Sequence, residues 1–213
     1  MDLYHLLNRG VDKRTIFLDD QDRKRFVLGL EIFNDIQSVD NIHRNVGLTK
    51  SNKEELVEIH GWCLMRNHYH LLVSEKAENG ITQFIRKLNI GYSKYFNEKY
   101  KRSGALFQGR TKKVRIETDP HFLHILNYIH LNPLDYHRDF RNWREGKISN
   151  ATHATAYLDK YQWSSYHDYC QDVKFLNITF TLFFKEVFQN YPKQLKDYLT
   201  TLEIEEMKAY ILE

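Results

Sequence analysis

"MRNHYHLLV", residues 65–73, sets two histidines on either side of one tyrosine at the start of an aliphatic run. On a strand, side chains two apart share a face, so His68 and His70 point one way and Tyr69 the other. Two imidazoles at that spacing can share a divalent ion, although histidines on a strand are more often structural. A closed zinc site wants four ligands, so a metal here needs an open site completed from elsewhere. Val57 to Met65 and Asn67 to Ser74 are two apolar-rich runs about Met65-Arg66-Asn67, which is the pattern of a β-hairpin.

Outward from the hairpin, Leu3, His5 and Leu7 alternate as a short strand closed at Asn8-Arg9-Gly10. From Asp19 to about Gln37, Phe26, Val27, Leu30, Phe33 and Ile36 recur at helical spacing, with Asp19 or Asp20 as N-cap. Residues 38–55 are polar and read as a loop. Gly80 to Tyr100 returns to helical spacing through Ile81, Phe84, Leu88, Tyr92, Tyr95 and Phe96. "KRSGALFQGR" follows as a loop, then "TKKVRIE" as a strand. Thr118-Asp119-Pro120 opens a further helix, because a polar cap and an early proline suit its free N–H groups. Pro133 closes that helix. The order β-α-β-β-α-β predicts an α+β, ferredoxin-like antiparallel sheet with helices on one face, followed by a further helix. Residues 1–133 read as the core domain. In 134–213, "RNWREGKISNATHATAY" reads as an exposed excursion, and "FTLFFKEVFQNY" and "LKDYLTTLEIEEMKAYIL" as C-terminal helices packed on the core.

With 42% apolar and 14% aromatic residues in 213, the chain can pack a core. No apolar run approaches the roughly 18–20 residues of a membrane span. The N-terminus lacks the pattern of a secretion signal, and two cysteines are too few for a disulfide scaffold, so a reducing cytoplasm is expected. Net charge is +3 but uneven. From Arg86 to Arg115 there are ten basic residues and one acid, Glu98, giving +9 and leaving −6 elsewhere. Such a stripe points to a polyanionic partner; a solvated helix face more often mixes its signs.

The helix from Pro120 to Asn132 carries Phe122, Leu126 and Ile129 on one face and His121, His124, Tyr128 and Asn132 on a second stripe. Tyr128 and Asn132, four apart, reach the same region of space. An Asn amide oxygen suits a hard ion such as Mg²⁺. A phenol of pKa near 10 attacks only a strongly polarised target. Attack on a phosphodiester would keep the bond energy in a phosphotyrosine link, ready for rejoining. The plain alternative is that Tyr128, one of fourteen tyrosines, simply packs.

"NRGVDKRTIF", "CLMRNHYHLLV", "GYSKYFNEKYKRSGALFQGR", "YIHLNP" and "WSSY" occur in that order between Leu3 and Tyr169. Together they resemble the REP-associated tyrosine transposases, a branch of the single-tyrosine HUH transposases. The resemblance implies that His68 and His70 are the HUH metal pair, Asn132 the third ligand of Mg²⁺ or Mn²⁺, and Tyr128 the nucleophile. It implies nicking and rejoining of single-stranded or hairpin DNA by a monomer or homodimer. Arg9, Arg66, Lys87, Arg102, Gln108, Arg110, Lys112, Lys113 and Arg115 would contact that DNA, their plain alternative being solvated surface. Tyr92, Tyr95 and Phe96 could stack bases, but their helical spacing suits the core better. His5, His60, His121 and His124 are not carried by these motifs and stand outside the expected site, His124 lying one turn before Tyr128. Two positions depart from the family pattern. Arg66 replaces a proline, and Ala105 replaces a histidine. The span from Leu134 to Gln162 is also long for the family. Two other functions stay open: hairpin binding without cleavage, as in a domesticated protein, and hydrolytic cleavage that needs no tyrosine.

Overall fold

The structure, a computed structural model, describes residues 2–37, 53–146, 148, 150–170 and 178–201. Its first elements are β1 (Leu3–Arg9), α1 (Asp20–Ile32), β2 (Val57–Met65), β3 (His68–Glu75), α2 (Gly80–Lys99), β4 (Lys112–Arg115) and α3 (Asp119–Leu131). The strands form one antiparallel sheet in the order β2-β3-β1-β4. This is the expected β-α-β-β-α-β arrangement, with β3 and β1 at its centre.

Both faces of the sheet are covered, because alternate residues of the central strands are apolar on each side. Leu6, Tyr69, Leu71 and Val73 enter one core with Phe26, Val27 and Leu30 of α1 and Phe84, Leu88 and Tyr92 of α2. Leu3, Cys63 and Leu72 enter a second core with Ile125, Leu126 and Ile129 of α3. A bulge between Ile59 and Gly61 in β2 keeps Ile59, Trp62 and Leu64 in the first core despite their odd and even numbering.

Helix α1 starts on a reciprocal capping box between Asp19 and Asp22. It stops at Ile32, short of the expected Gln37. There the Asn34 side chain turns away to accept from Leu56 and Val57 N–H and to donate to the Val57 carbonyl. Ile36 is left exposed, outside the core face. The wholly buried Asp22 carboxylate accepts from the Tyr95 and Tyr100 hydroxyls and from Lys99, which locks α1 to α2. Tyr92 and Phe96 are core residues, and the Tyr92 hydroxyl donates to the Ile16 carbonyl. Neither presents a face on which a base could stack.

The described residues of 141–157, expected to be an exposed excursion, are largely exposed, but the stretch is anchored at a few buried points. Trp143 is wholly buried, with its indole N–H donating to Asp135, and Ala151, Ala154 and Leu158 pack into the second core. These apolar residues are sparse in a polar stretch, so their common face is easily missed. Here lie short helical turns at Asn132–Tyr136 and Trp143–Glu145, then α4 (Ala151–Leu158) and α5 (Tyr166–Cys170). They are followed by α6 (Leu182–Val187) and α7 (Tyr191–Thr201). The expected loop at 38–55 falls largely, and the end of the last expected helix wholly, outside the described residues. No helix among the described residues is long and apolar enough to cross a membrane.

The motifs "YIHLNP" and "WSSY" meet inside this second layer. His130 bridges the Ser165 hydroxyl (2.8 Å) and the Tyr191 hydroxyl (2.7 Å), and Ser165 also accepts from the Trp62 N–H of β2. Burial, aided by nearby His167, lowers the His130 pKa to about 3, and burial lowers that of His60 to about 4. Both rings are therefore neutral in the fold, while the unfolded chain takes up protons near pH 6.5. The unfolded state binds more protons below that pH, so these two histidines lower stability as pH drops from about 6.5 toward 4 and add no slope above 7. Each histidine contributes a slope of up to about 1.4 kcal/mol per pH unit. Urea unfolding between pH 7 and 4.5 should show this decline, and His130→Gln should reduce its steepness by about one proton.

Candidate active site

Strand alternation sends Tyr69 away from the histidines. Its ring packs on Phe26 of α1 at 4.9 Å and its hydroxyl donates to Asn89 of α2 (2.9 Å). Burial pushes the Tyr69 pKa up to about 12. On the opposite side, His68 and His70 sit with ring centroids 4.9 Å apart at 82°. The Tyr128 ring of α3 stands edge-on to His70, at 5.7 Å and 87°.

A third histidine belongs to this group. His5 of β1 lies 2.9 Å from His70, Nε2 to Nδ1. Their rings are nearly coplanar, 18° apart with centroids at 5.1 Å, which is the geometry of an edge-to-edge N–H···N hydrogen bond. Tyr128 also stands edge-on to His5, at 5.9 Å. His68 Nδ1 lies 2.7 Å from Asn67 Oδ1. A carbonyl oxygen only accepts, so His68 donates from Nδ1, and in the neutral ring the lone pair then lies on Nε2. If His70 likewise donates from Nδ1 to His5, both Nε2 atoms carry the lone pair a ligand needs, the arrangement in which an outer partner orients a metal-binding imidazole. The two histidines thus fit a divalent ion.

Asn132 does not present its oxygen in the same way. It is wholly buried, and its amide N–H donates to the Tyr128 carbonyl (2.7 Å). Its Oδ1 accepts from Arg144 Nη2 at 2.7 Å. Arg144 also pairs with Asp135. Its guanidinium lies over the Trp143 ring at 4.5 Å and the Tyr128 ring at 5.6 Å. Tyr128 is only 3% exposed, so this segment closes the site. Among the described residues, no group of three or more His, Cys, Asp and Glu is placed to hold a metal ion.

The basic candidates divide by position. Arg9 is the cross-strand partner of His68, and Lys112 that of Leu7, so both lie on the histidine face. Gln108 and Arg110 are exposed on the loop entering β4, where the Gln108 N–H donates to the Arg9 carbonyl. Arg66 is exposed in the β2–β3 turn. Lys113 lies over the Tyr4 ring (4.1 Å), and Arg115, also paired in register away from the histidines, binds Asp2. Arg102 braces its own loop through Asn97 and the Ala105 carbonyl. Lys87 is on α2, the layer opposite the histidines, donating to the carbonyls of Asp35, Ile36 and Gln37.

The motif reading misses His5, Asn67, Asp135, Trp143 and Arg144. For His5 a signal exists: Leu3-His5-Leu7 alternates, and in a β-α-β-β-α-β sheet β1 lies beside β3. Conversely His124, nearer to Tyr128 in sequence, packs on Tyr198 of α7 at 5.3 Å.

Residues 4–132 match the model of a family described as "Transposase IS200 like". Among curated proteins no match is found. Among solved structures, the chain is similar to one described as "Structure of the REP associates tyrosine transposase bound to a REP hairpin". That similarity covers 84% of this chain and 90% of the other, at 13% identity and a TM-score of 0.48.

The hydrogen bond from His68 to Asn67 carries a direct spectroscopic consequence. Long-range ¹H–¹⁵N spectra at neutral pH should show His68 as the Nδ1–H tautomer, and Asn67→Leu should return it to the commoner Nε2–H form.

Proposed function

The chain belongs to the IS200-like transposase family, and from that premise we propose that it is a metal-dependent strand transferase of the REP-associated kind. It would nick and rejoin single-stranded, hairpin-associated DNA through a covalent link to Tyr128. The observation that carries this reading is Tyr128 of α3 standing 5.7 Å from His70, on the histidine side of the sheet.

In this reading the Tyr128 oxygen attacks the scissile phosphorus while the bond to the 3′ oxygen breaks, and that oxygen leaves with a proton as a free 3′-OH. The 5′-phosphoryl group stays on Tyr128. Because the phosphotyrosine ester keeps the energy of the broken diester, a 3′-OH can reverse the step and rejoin strands. His68 and His70 would hold Mg²⁺ or Mn²⁺ through Nε2, which supplies Lewis-acid polarisation of the phosphate and its orientation when bound. Asn67, and His5 if it accepts from His70 Nδ1, would hold those two rings in the required tautomer. Arg9 and Lys112 would meet phosphates on the histidine face, with Gln108, Arg110 and Arg66 around it. Lys87, Arg102, Lys113 and Arg115 would contribute to the basic field rather than to the cut. Residues 1–133 would carry the chemistry and 134–213 would cover it, as monomer or homodimer.

The closed Tyr128 site favours one second reading, hairpin binding without cleavage. Labelled single-stranded oligonucleotides bearing hairpins from the gene's own flanks, with Mn²⁺, decide between them on a denaturing gel. Strand transfer predicts a covalent protein–DNA band, lost in Tyr128→Phe and on adding EDTA and kept in Tyr69→Phe. Cleavage that survives Tyr128→Phe would mean hydrolysis; binding with no cleavage would mean the binding module. His5→Phe should lower Mn²⁺ affinity by about 10- to 100-fold, the usual cost of losing an outer partner of a ligating histidine. Calorimetric titration measures that loss.

A further inference from the structure

The Asn132 oxygen, which the metal-dependent reading would make a ligand, is hydrogen-bonded to Arg144. Building on that reading, we propose that Arg144 is a positioning residue that withholds the Asn132 oxygen, so that a divalent ion is held here by His68 and His70 alone until Arg144 moves.

Both ends of the Asn132 amide are committed. Its N–H faces the Tyr128 carbonyl at 2.7 Å, and its oxygen faces Arg144 Nη2 at 2.7 Å. Rotating the amide by a half turn would set its NH₂ against a guanidinium and its oxygen against a carbonyl, so the orientation is locked from both sides. The oxygen has a second lone pair, but the charge of Arg144 disfavours its use by a cation. An ion about 2.1 Å from that oxygen would stand within about 5 Å of the guanidinium nitrogen, in a partly buried setting where like charges repel more than in water. Asp135 offsets part of the guanidinium charge from its other nitrogen, but the neutral amide oxygen adds no charge of its own to hold a second cation beside it.

Arg144 is itself held in place. Asp135 pairs with its other nitrogen and also accepts from the Trp143 indole at 2.8 Å. The guanidinium stacks over Trp143 and Tyr128. Gly146, in the left-handed region at φ 66°, ends the short turn that presents Arg144. All of these except Tyr128 lie beyond residues 4–132, the part that matches the family. The device is therefore built from the long segment after α3. An incoming phosphate is the chemistry able to release it, since a guanidinium prefers a bidentate anion to one neutral oxygen. DNA binding and completion of the metal site would then be a single coupled event.

Titrating full-length protein with Mn²⁺ by calorimetry, without DNA, tests this. Arg144→Met keeps the packing on Trp143 and Tyr128 and removes the charge. It should bind Mn²⁺ about 10- to 100-fold tighter than the wild type, the range over which partners of a metal ligand act. The gain should vanish in Arg144→Met/Asn132→Ala, and binding should vanish in His68→Ala. Circular dichroism checks that each variant folds. Arg144→Gln, also uncharged, serves if Arg144→Met does not, and should show a gain of the same direction. His68-dependent binding that is equal in wild type and the Arg144 variants would overturn the inference alone. So would a gain that survives Asn132→Ala. Absence of His68-dependent binding in every variant would remove it together with the metal reading.

Discussion

The register of β3 at the centre of the sheet is the constraint on which everything else depends. β3 pairs with β2 on one side and β1 on the other, and both of its faces are buried. A slip of one residue would send His68, His70 and Leu72 into the α1/α2 core and bring Tyr69, Leu71 and Val73 to α3. No such slip is tolerable, because Tyr69 has its hydroxyl on Asn89 and its ring on Phe26. Burying two imidazoles in that apolar layer would leave them without partners. The apolar half of β3 thus fixes the direction of the polar half, and a folding requirement places the candidate chemistry.

The same logic explains how far the sequence could be read. Period-two and helical spacing over 3–9, 57–75 and 80–99 made the sheet and its order legible, as did the caps at Asp19 and Thr118. The "HYH" alternation and the four-residue step from Tyr128 to Asn132 named the candidate residues. What stayed hidden were partnerships between elements distant in sequence. His5 meets His70 across 65 positions, and His130 meets Ser165 across 35. Nothing local in either segment demands these pairs. The stretch 141–157 was legible as exposed chain but not as anchored chain. Its charged composition matches its many exposed residues, yet Trp143 and three small or aliphatic residues of α4 tie it to the second core.

That second layer gives the candidate site its character. The α1/α2 side is an apolar support, whereas the α3 side mixes core packing with a chain of polar groups. Asn67, His68, His70 and His5 form one stretch of that chain, and Asn132, Arg144 and Asp135 another, with Tyr128 between them. In the proposed reading, a phenol lodged between an imidazole pair and a guanidinium would receive a phosphate, whose negative charge suits both neighbours. With the phenol buried, that reading would require the Trp143–Arg144 cover to move before Tyr128 could react.

The central claim is that Tyr128, and not the more conspicuous Tyr69, forms the link to DNA. Mass spectrometry tests it most directly: react the wild-type protein with hairpin-bearing single-stranded DNA and Mn²⁺, digest with nuclease and protease, and map the nucleotide-modified peptide. The account predicts a phosphonucleotide on the Tyr128 side chain of the peptide containing "YIHLNP". The same adduct on Tyr69 or another tyrosine, with Tyr128 unmodified, would contradict it.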